Sequence, residues 1–466
     1  MAMTITEKIL ARHAGRDRVE PGENVWCTVD VLMTHDVCGP GTIGVFKEQF
    51  GAAARVFDPD RVVIIPDHYI FTADRMAHRN IDILRSFVRE QKIRYYYDPD
   101  FIHGEGMPNP YRDPTETKYK GVCHKALPEE GHVRPGEVLL GTDSHTCTAG
   151  AFGCFATGIG NTEAGFVLGT GRLWFKVPPT MKFVFHGQIP PYLTAKDLIL
   201  AVIGKISVSG ATYKAMYFAG DGIASLSLED RMTLTNMVIE AGGKNGVCDV
   251  DEKTLAYVRR RSNVPTWEVY RDDVGASYCF AYEWDLSKLE PLVARPHSPD
   301  NVEAARNCRD VKVDRAYIGS CTGGKITDMI FAAAILNGNR VKVPTFVVPG
   351  STEVHADMKR LNIRGEPRAD GEKSIEQIML DAGCQVGPSS CAACLGGPKD
   401  TFGRLNEPVT CISTTNRNFP GRMGHKDAGV YLASPLTVAA SALRGRVTDP
   451  REFVTEHIAT GSAGVV

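Results

Sequence analysis

Short β-branched runs alternate with helical patterns along this chain, and that rhythm admits few folds. RVVIIP at 61–66 is followed by ADRMAHRNIDILRSFVREQ at 73–91, and VDRAYIG at 313–319 by KITDMIFAAAILNG at 325–338. Strand and helix in alternation predict parallel sheets covered by helices. Further strand-like runs are EVLLG at 137–141, MKFVFHG at 181–187 and TFVVPG at 345–350, and further helical patterns lie at 194–206, 229–242 and 372–383. The 466 residues exceed the roughly 250–300 that one core accommodates, so two or three such units are expected. VARPHSPDNVEAARNCRD at 293–310, where Pro, Asn and charge separate two α/β-looking halves, reads as a boundary between units. HGEGMPNPYRDPTETK at 103–118 reads as a surface loop.

Reactive residues gather immediately after the strand-like runs, where open α/β sheets place their ligands. Asp67-His68 follows RVVIIP, GTDSHTCTAG at 141–150 follows EVLL, GSCTGG at 319–324 follows VDRAYI, and STTNRNFPGRMGH at 413–425 follows PVTCI. Four such segments predict one shared site. Charge excludes some partners: 53 Lys and Arg against 55 Asp and Glu leave a net charge of −2, so no global field recruits nucleic acid or an acidic membrane. The basic run Arg259-Arg260-Arg261 reads as a solvated helix end. No stretch approaches the ~18 uncharged apolar residues of a spanning helix. The first residues carry no apolar targeting core, which leads to the expectation of a cytoplasmic protein with reduced thiols.

Thirteen cysteines then need a reading. Cys391 and Cys394 have a chelating spacing that iron, zinc or a redox pair could all use. A zinc site normally shows a second close pair, and a thioredoxin-like motif would follow the first strand of a small unit. Cys321 is the remaining attractive thiol, because flanking glycines let backbone amides approach sulfur. Three cysteines divided as one plus two leave a cubane cluster one ligand short, with an iron open to water and substrate. Cys384, seven residues before Cys391, is the alternative fourth ligand, against a buried structural cysteine at the end of a helix. The rest read as core or surface thiols, Cys147 and Cys154 being the least settled because they sit in the DSHT segment.

GTDSHT, GSCT with a later CxxC, and TNRNFPGR occur here in the order and at the wide spacings of the aconitase family, and essentially the whole chain resembles it. The resemblance is nearest to the family's two-subunit, plant-type branch, on THDVCGPGT, PDHYIF, KYKGVCHKAL, CAACLGGP and STTNRNFPGRMGH. It implies three doubly wound α/β/α domains around an iron–sulfur cluster, expected at 1–135, 136–300 and 301–466, the first two open to interleaving. It further implies one [4Fe-4S] cluster on Cys321, Cys391 and Cys394, with one open iron. Asp67, His68, His124, Asp143, His145 and Glu240 match the family's catalytic groups. Ser144, Asn236, Asn416, Arg417 and Arg422 match its substrate-binding groups, and His35 an N-terminal active-site segment. Without the resemblance, Asn236 and Glu240 would read as a solvated helix face, and the two arginines as loop surface. The implied activity is a hydro-lyase acting on a dicarboxylate hydroxy acid, and the motifs do not separate one 2-substituted malate from another. The family's swivelling domain finds no counterpart before the chain ends, so a small subunit is the expected partner. An RNA-binding regulator fits the near-neutral charge poorly, and a structural zinc protein is the third reading. The sequence departs from the commonest family pattern at Gly323, where many members carry Asn.

Overall fold

The computed structural model describes residues 2–100, 118–262 and 264–454. Most of the 103–118 segment therefore lies outside the described residues. Each predicted strand forms, as Val62–Ile64, Val138–Gly141, Thr180–His186, Arg315–Ile318 and Thr345–Val347. The helical patterns form as well. Arg75–Gln91 starts where Asp74 accepts hydrogen bonds from the backbone N–H groups of Met76 and Ala77, and it stops at Lys92 in the left-handed conformation.

Three open sheets of four or more strands organise the described residues, beside a two-stranded antiparallel ribbon of Asn24–Thr28 and Arg172–Lys176. The first is five-stranded and all parallel, in the order Tyr95–Tyr96, Val62–Ile64, Val31–Thr34, Val138–Gly141, Phe155–Gly158. By position in the chain that is third, second, first, fourth, fifth, the doubly wound order with a switch point between the first and fourth strands. Its strands are buried on both faces, which explains why they read as continuous apolar runs. The second sheet is parallel and four-stranded, in the order Asn245–Cys248, Ala215–Ala219, Thr180–His186, Phe280–Asp285. The third has seven strands. Its parallel part runs Gly429–Ala433, Thr410–Ser413, Arg315–Ile318, Thr345–Val347, Gln385–Val386, again doubly wound, with its switch point between Arg315–Ile318 and Thr410–Ser413.

Both expected boundaries move: the first sheet runs on past residue 135, and the second sheet's last strand ends at Asp285 while the third sheet's first strand begins at Leu292, just before 293–310. The strands on either side of residue 135 belong to one sheet, since Val31–Thr34 pairs directly with Val138–Gly141. The 293–310 segment is not a linker: Leu292–Ala294 and Val302–Ala304 form an antiparallel hairpin, and the first of them pairs with Gly429–Ala433 at the edge of the third sheet. Pro, Asn and charge mark the tip of that hairpin rather than a break between units. Packing also crosses the units: Phe183 and Phe218 of the second share an apolar core with Tyr317 and Val430 of the third.

Candidate active site

At the switch point of the first sheet the chain leaves Val31–Thr34 into His35-Asp36 and leaves Val138–Gly141 into Thr142-Asp143-Ser144-His145. The neighbouring strand Val62–Ile64 leads to Asp67-His68. All of these side chains are buried except Ser144 and Asp143, which are partly so. His68 donates from Nδ1 to Asp67 Oδ1 at 2.6 Å, and the other Asp67 oxygen accepts from the Cys123 N–H at 2.8 Å. Burial alone would lower His68; the Asp67 carboxylate outweighs it and pushes the imidazole up to about 9. Its Nε2 lies 3.7 Å from Asp143 Oδ2. Asp143 Oδ1 accepts from His124 Nε2 at 2.8 Å and from the His145 N–H at 2.8 Å. These contacts overcome burial and hold the Asp143 carboxyl well below the usual range.

The second unit contributes from the helix Leu228–Asn236 and the 3-10 turn Met237–Ala241 that continues it. Asn236 and Glu240 are buried, which corrects the solvated-face reading: the side they present packs on the other two units, not on water. Glu240 Oε1 accepts from His145 Nε2 at 2.8 Å, and both Glu240 oxygens accept from Arg417 Nε, at 2.8 and 3.0 Å. Arg417 Nη2 donates to Ser144 Oγ at 3.1 Å, closing a ring of four residues from three sheets.

The third unit brings Cys321 after Arg315–Ile318 and Asn416-Arg417 after Thr410–Ser413, again at a switch point. Cys391 and Cys394 enter from the short helix Ala392–Leu395 and the residue before it. The three thiols pack together with Val122 as a buried group of their own. Asn416 Nδ2 donates to Cys321 Sγ at 3.3 Å and to Asn236 Oδ1 at 3.3 Å, and Cys394 Sγ lies 3.3 Å from Asn416 Oδ1. The Cys391 N–H donates to the Asp67 carbonyl at 2.9 Å, seating the thiols against the histidine side of the site. A hydrogen bond from Cys391 lowers Cys394 to about 5, while the same contact raises Cys391. Burial pushes Cys321 up to about 12.

Among the described residues, two of those expected from sequence are not hydrogen-bonded into this network through their side chains: His35, which accepts from the Val37 N–H at 3.3 Å, and Arg422. The Arg422 charge reaches Tyr69 and Cys394, and its buried Nε has no partner among the described residues. His35 stacks on His68, with ring centroids 4.3 Å apart. His35 Nε2 and His124 Nδ1 are likewise buried and unpartnered. Cys384 is not beside the thiols. It packs in the apolar core of the third unit with Met379 and Val347, so it is a structural cysteine. Cys147 and Cys154 donate to backbone carbonyls and are structural too. Arg259 and Arg260 are exposed at the end of the helix Glu252–Arg261, as expected, but Arg261 is half-buried: its guanidinium pairs with Glu353 and donates to the Glu129 carbonyl.

Sequence reasoning missed two buried groups. Asp36 accepts from three successive backbone N–H groups, those of Asp67 at 2.9 Å, His68 at 3.0 Å and Tyr69 at 2.7 Å. His35, Asp36, Asp67 and His68 bring ligand-type atoms within 4.8 Å of one another. Because the Asp36 and Asp67 oxygens are engaged by amides and an imidazole, we read the group as scaffold rather than metal site. Lys196 is the second, donating to Thr322, Thr414 and Thr415. Gly323 also finds its reason: a Cβ there would stand 2.2 Å from both Cβ and Oγ1 of Thr414.

A doubly wound, three-sheet α/β protein with a histidine–carboxylate network laid against three buried thiols is the class that fold and site define. The chain belongs to the aconitase family, whose model, described as aconitase family (aconitate hydratase), matches residues 7–307 and 301–445. It is 61% identical over 97% of its length, and 87% of the relative's, to the chloroplastic 3-isopropylmalate dehydratase large subunit of Arabidopsis thaliana. The 3-isopropylmalate dehydratase large subunit of Aquifex aeolicus is 42% identical, covering 99% of this chain and 100% of that one. The holo-form crystal structure of Thermococcus kodakaraensis aconitase X is 14% identical and aligns at a TM-score of 0.48 over 91% of this chain and 93% of that one, below the level at which superposition argues a shared fold. Family membership implies an iron–sulfur cluster. The site fits one: three free buried thiols from two loops converge in one group with an amide donor already turned on sulfur. No helix among the described residues is long and apolar enough to cross a membrane.

Proposed function

We propose that this chain is the cluster-bearing large subunit of a 3-isopropylmalate dehydratase, interconverting 2- and 3-isopropylmalate through elimination to 2-isopropylmaleate and readdition of water, a step of leucine biosynthesis. The observation that carries this reading is that residues of all three sheets meet in one hydrogen-bonded network against three thiols, in a chain 61% identical to a relative of that name. Cys321, Cys391 and Cys394 would hold a [4Fe-4S] cluster, whose fourth iron supplies a Lewis acid for the substrate hydroxyl and a carboxylate.

The rest of the work falls to the chain's own side chains. Asp67 fixes the His68 ring by accepting the hydrogen bond from its Nδ1–H, leaving Nε2 as the atom that carries a proton toward the departing hydroxyl. Asp143 anchors His124 and His145, whose rings hold the opposite wall. Glu240 positions Arg417, and Arg417 with Ser144, Asn416 and Arg422 receives the substrate carboxylates; a guanidinium fork matches a carboxylate where a lysine point charge does not. Asp143, Ser144, Arg417 and Arg422 are the partly exposed members of an otherwise buried site. That rim is where a small subunit would close over the substrate and supply the base for the carbon-bound proton. Anaerobic co-expression with small subunits, followed by absorbance of the unsaturated intermediate, tests this. Turnover selective for isopropylmalate over citramalate, 2,3-dimethylmalate, malate and homoaconitase substrates is expected, and only with the second polypeptide. Turnover by this chain alone, or preference for another malate, overturns it.

A further inference from the structure

The helix Ala195–Ile206 places a lysine where elementary electrostatics argues against one. Lys196 is in the first turn, at the positive end of the helix dipole, and is 1% exposed. Its Nζ donates to Thr322 Oγ1 at 3.1 Å, to the Thr414 carbonyl at 2.9 Å and to the Thr415 carbonyl at 2.8 Å. The Thr322 hydroxyl proton is directed at the Thr414 carbonyl, 2.8 Å away, so Oγ1 accepts from the lysine. Burial, and then the neighbouring Lys325, pull the Lys196 ammonium down to about 7, while three acceptors around Nζ match the three N–H bonds of the ammonium form. Yet all three acceptors are neutral, and among the described residues no carboxylate oxygen lies within 4 Å of it. The neighbouring Lys325 is different: its partner is Asp328, at 2.5 Å. A buried charge without a counter-charge costs several kcal/mol, so its neutralisation must come from elsewhere.

The loops that Lys196 ties together are the two that flank the thiols, Cys321 before Thr322 and Asn416-Arg417 after Thr415. The anions left within its electrostatic reach once Lys325 and Asp328 pair are the sulfurs of Cys321 and Cys394. We propose that Lys196 is a positioning residue whose ammonium is the counter-charge of the iron–sulfur centre, clamping the two loops and favouring the reduced, more negative state of the cluster. This rests on the cluster assignment above. The chemistry is that of a cation beside an anionic cluster, where net charge and nearby donors set the reduction potential.

The test is a potentiometric titration, read by electron paramagnetic resonance, of the anaerobically loaded full chain as parent, Lys196→Met, Lys196→Gln and Lys196→Arg, with iron and acid-labile sulfide counted on each. Both neutral variants are expected to shift the midpoint negative by at least a tenfold loss of preference for the reduced cluster, 59 mV for a one-electron couple. Lys196→Arg is expected to restore most of it. Neutral variants holding the parent's iron and sulfide at the parent's midpoint would reduce Lys196 to a hydrogen-bond clamp and overturn the proposal, as would Lys196→Arg shifting as far as Lys196→Met. If Lys196→Met does not fold, Lys196→Gln, which keeps amide donors for the carbonyls, carries the comparison. A parent chain without sulfide sinks the cluster assignment itself, a different result from an unmoved potential.

Discussion

Asp36 offers the sharpest separation of scaffold from chemistry. Its carboxylate, 1% exposed, accepts from the backbone N–H groups of Asp67, His68 and Tyr69, the turn that carries the His68 imidazole. Asp36→Ala leaves three buried donors without an acceptor. At about 1–3 kcal/mol each, the turn loses at least about 3 kcal/mol of local stability. Asp36→Asn is milder: one oxygen still serves Asp67 and His68, which share Oδ1, while the amide nitrogen opposes the Tyr69 N–H, for a loss of about 1–2 kcal/mol. Hydrogen exchange of the peptide spanning residues 65–71, read by mass spectrometry, converts these into rates, since local opening governs exchange. Exchange should quicken at least ~100-fold in Asp36→Ala and roughly 10-fold in Asp36→Asn, at ~1.4 kcal/mol per decade. Turnover should fall in the same order, because the imidazole is displaced before any reacting atom is touched. Collapse of turnover with protection at 65–71 unchanged would refute this, and would place the Asp36 carboxylate among the groups that touch substrate.

Three further outcomes follow from the same geometry. Arg417→Lys loses the paired contacts to Glu240 and the reach to Ser144, so kcat/KM should fall by roughly 10- to 100-fold with KM raised; unchanged KM would remove Arg417 from substrate binding. Cys384→Ser should keep the parent's iron and sulfide content while Cys391→Ser loses both, checked by elemental and sulfide analysis. His132 is buried beside Arg134, burial being the larger cause, and its imidazole is lowered to about 4. It is therefore neutral in the fold while the unfolded chain takes up a proton below the ordinary histidine value of 6.5, so stability is complete above that pH and is lost as pH falls toward 4. The loss approaches about 3 kcal/mol at ~1.36 kcal/mol per pH unit, and His132→Gln should flatten the pH dependence of urea midpoints between those limits.

What was legible in the sequence was local. A β-branched run followed by Gly, His, Asp or Cys announces a strand end, and in a doubly wound sheet the strand ends face one crevice, so His68, Asp143, Cys321 and Asn416 could be gathered from sequence, while His35 needed the family resemblance. Asn236 and Glu240 needed the family resemblance, because a polar pair four apart on a helix has the same pattern whether water or another domain covers it. Asp36 and Lys196 escaped because their partners lie 31 to 219 residues away, and nothing in either local pattern distinguishes them from surface charge. The boundary at 135 was misplaced for a related reason: sheets pair strands across any length of chain, so a long polar connection before 137 does not end a unit.

A site with parts on three sheets works only if the sheets cannot slide, and one carboxylate shows how they are held. Glu229 accepts from Lys125 of the first unit at 2.6 Å, and from the Thr327 N–H and hydroxyl of the third at 3.0 and 2.9 Å. Lys125 follows His124 in the chain, and Glu229 lies in the helix that ends at Asn236. The pin is thus built into the elements that carry site residues. A charge buried with partners on both sides is strongly destabilising when one partner is removed, at about 3–5 kcal/mol, so each pair resists relative motion of the units it joins. Arg261 with Glu353 and the shared apolar core of the second and third sheets act in the same sense. Held this way, the histidine wall and the thiols form one rigid block, and the adjustable side of the site is the partly exposed rim of Ser144, Arg417 and Arg422. Under the proposed function, substrate choice among malates would be decided where that rim meets a small subunit, and exchanging small subunits on this one chain should change the preferred malate while leaving its iron content fixed.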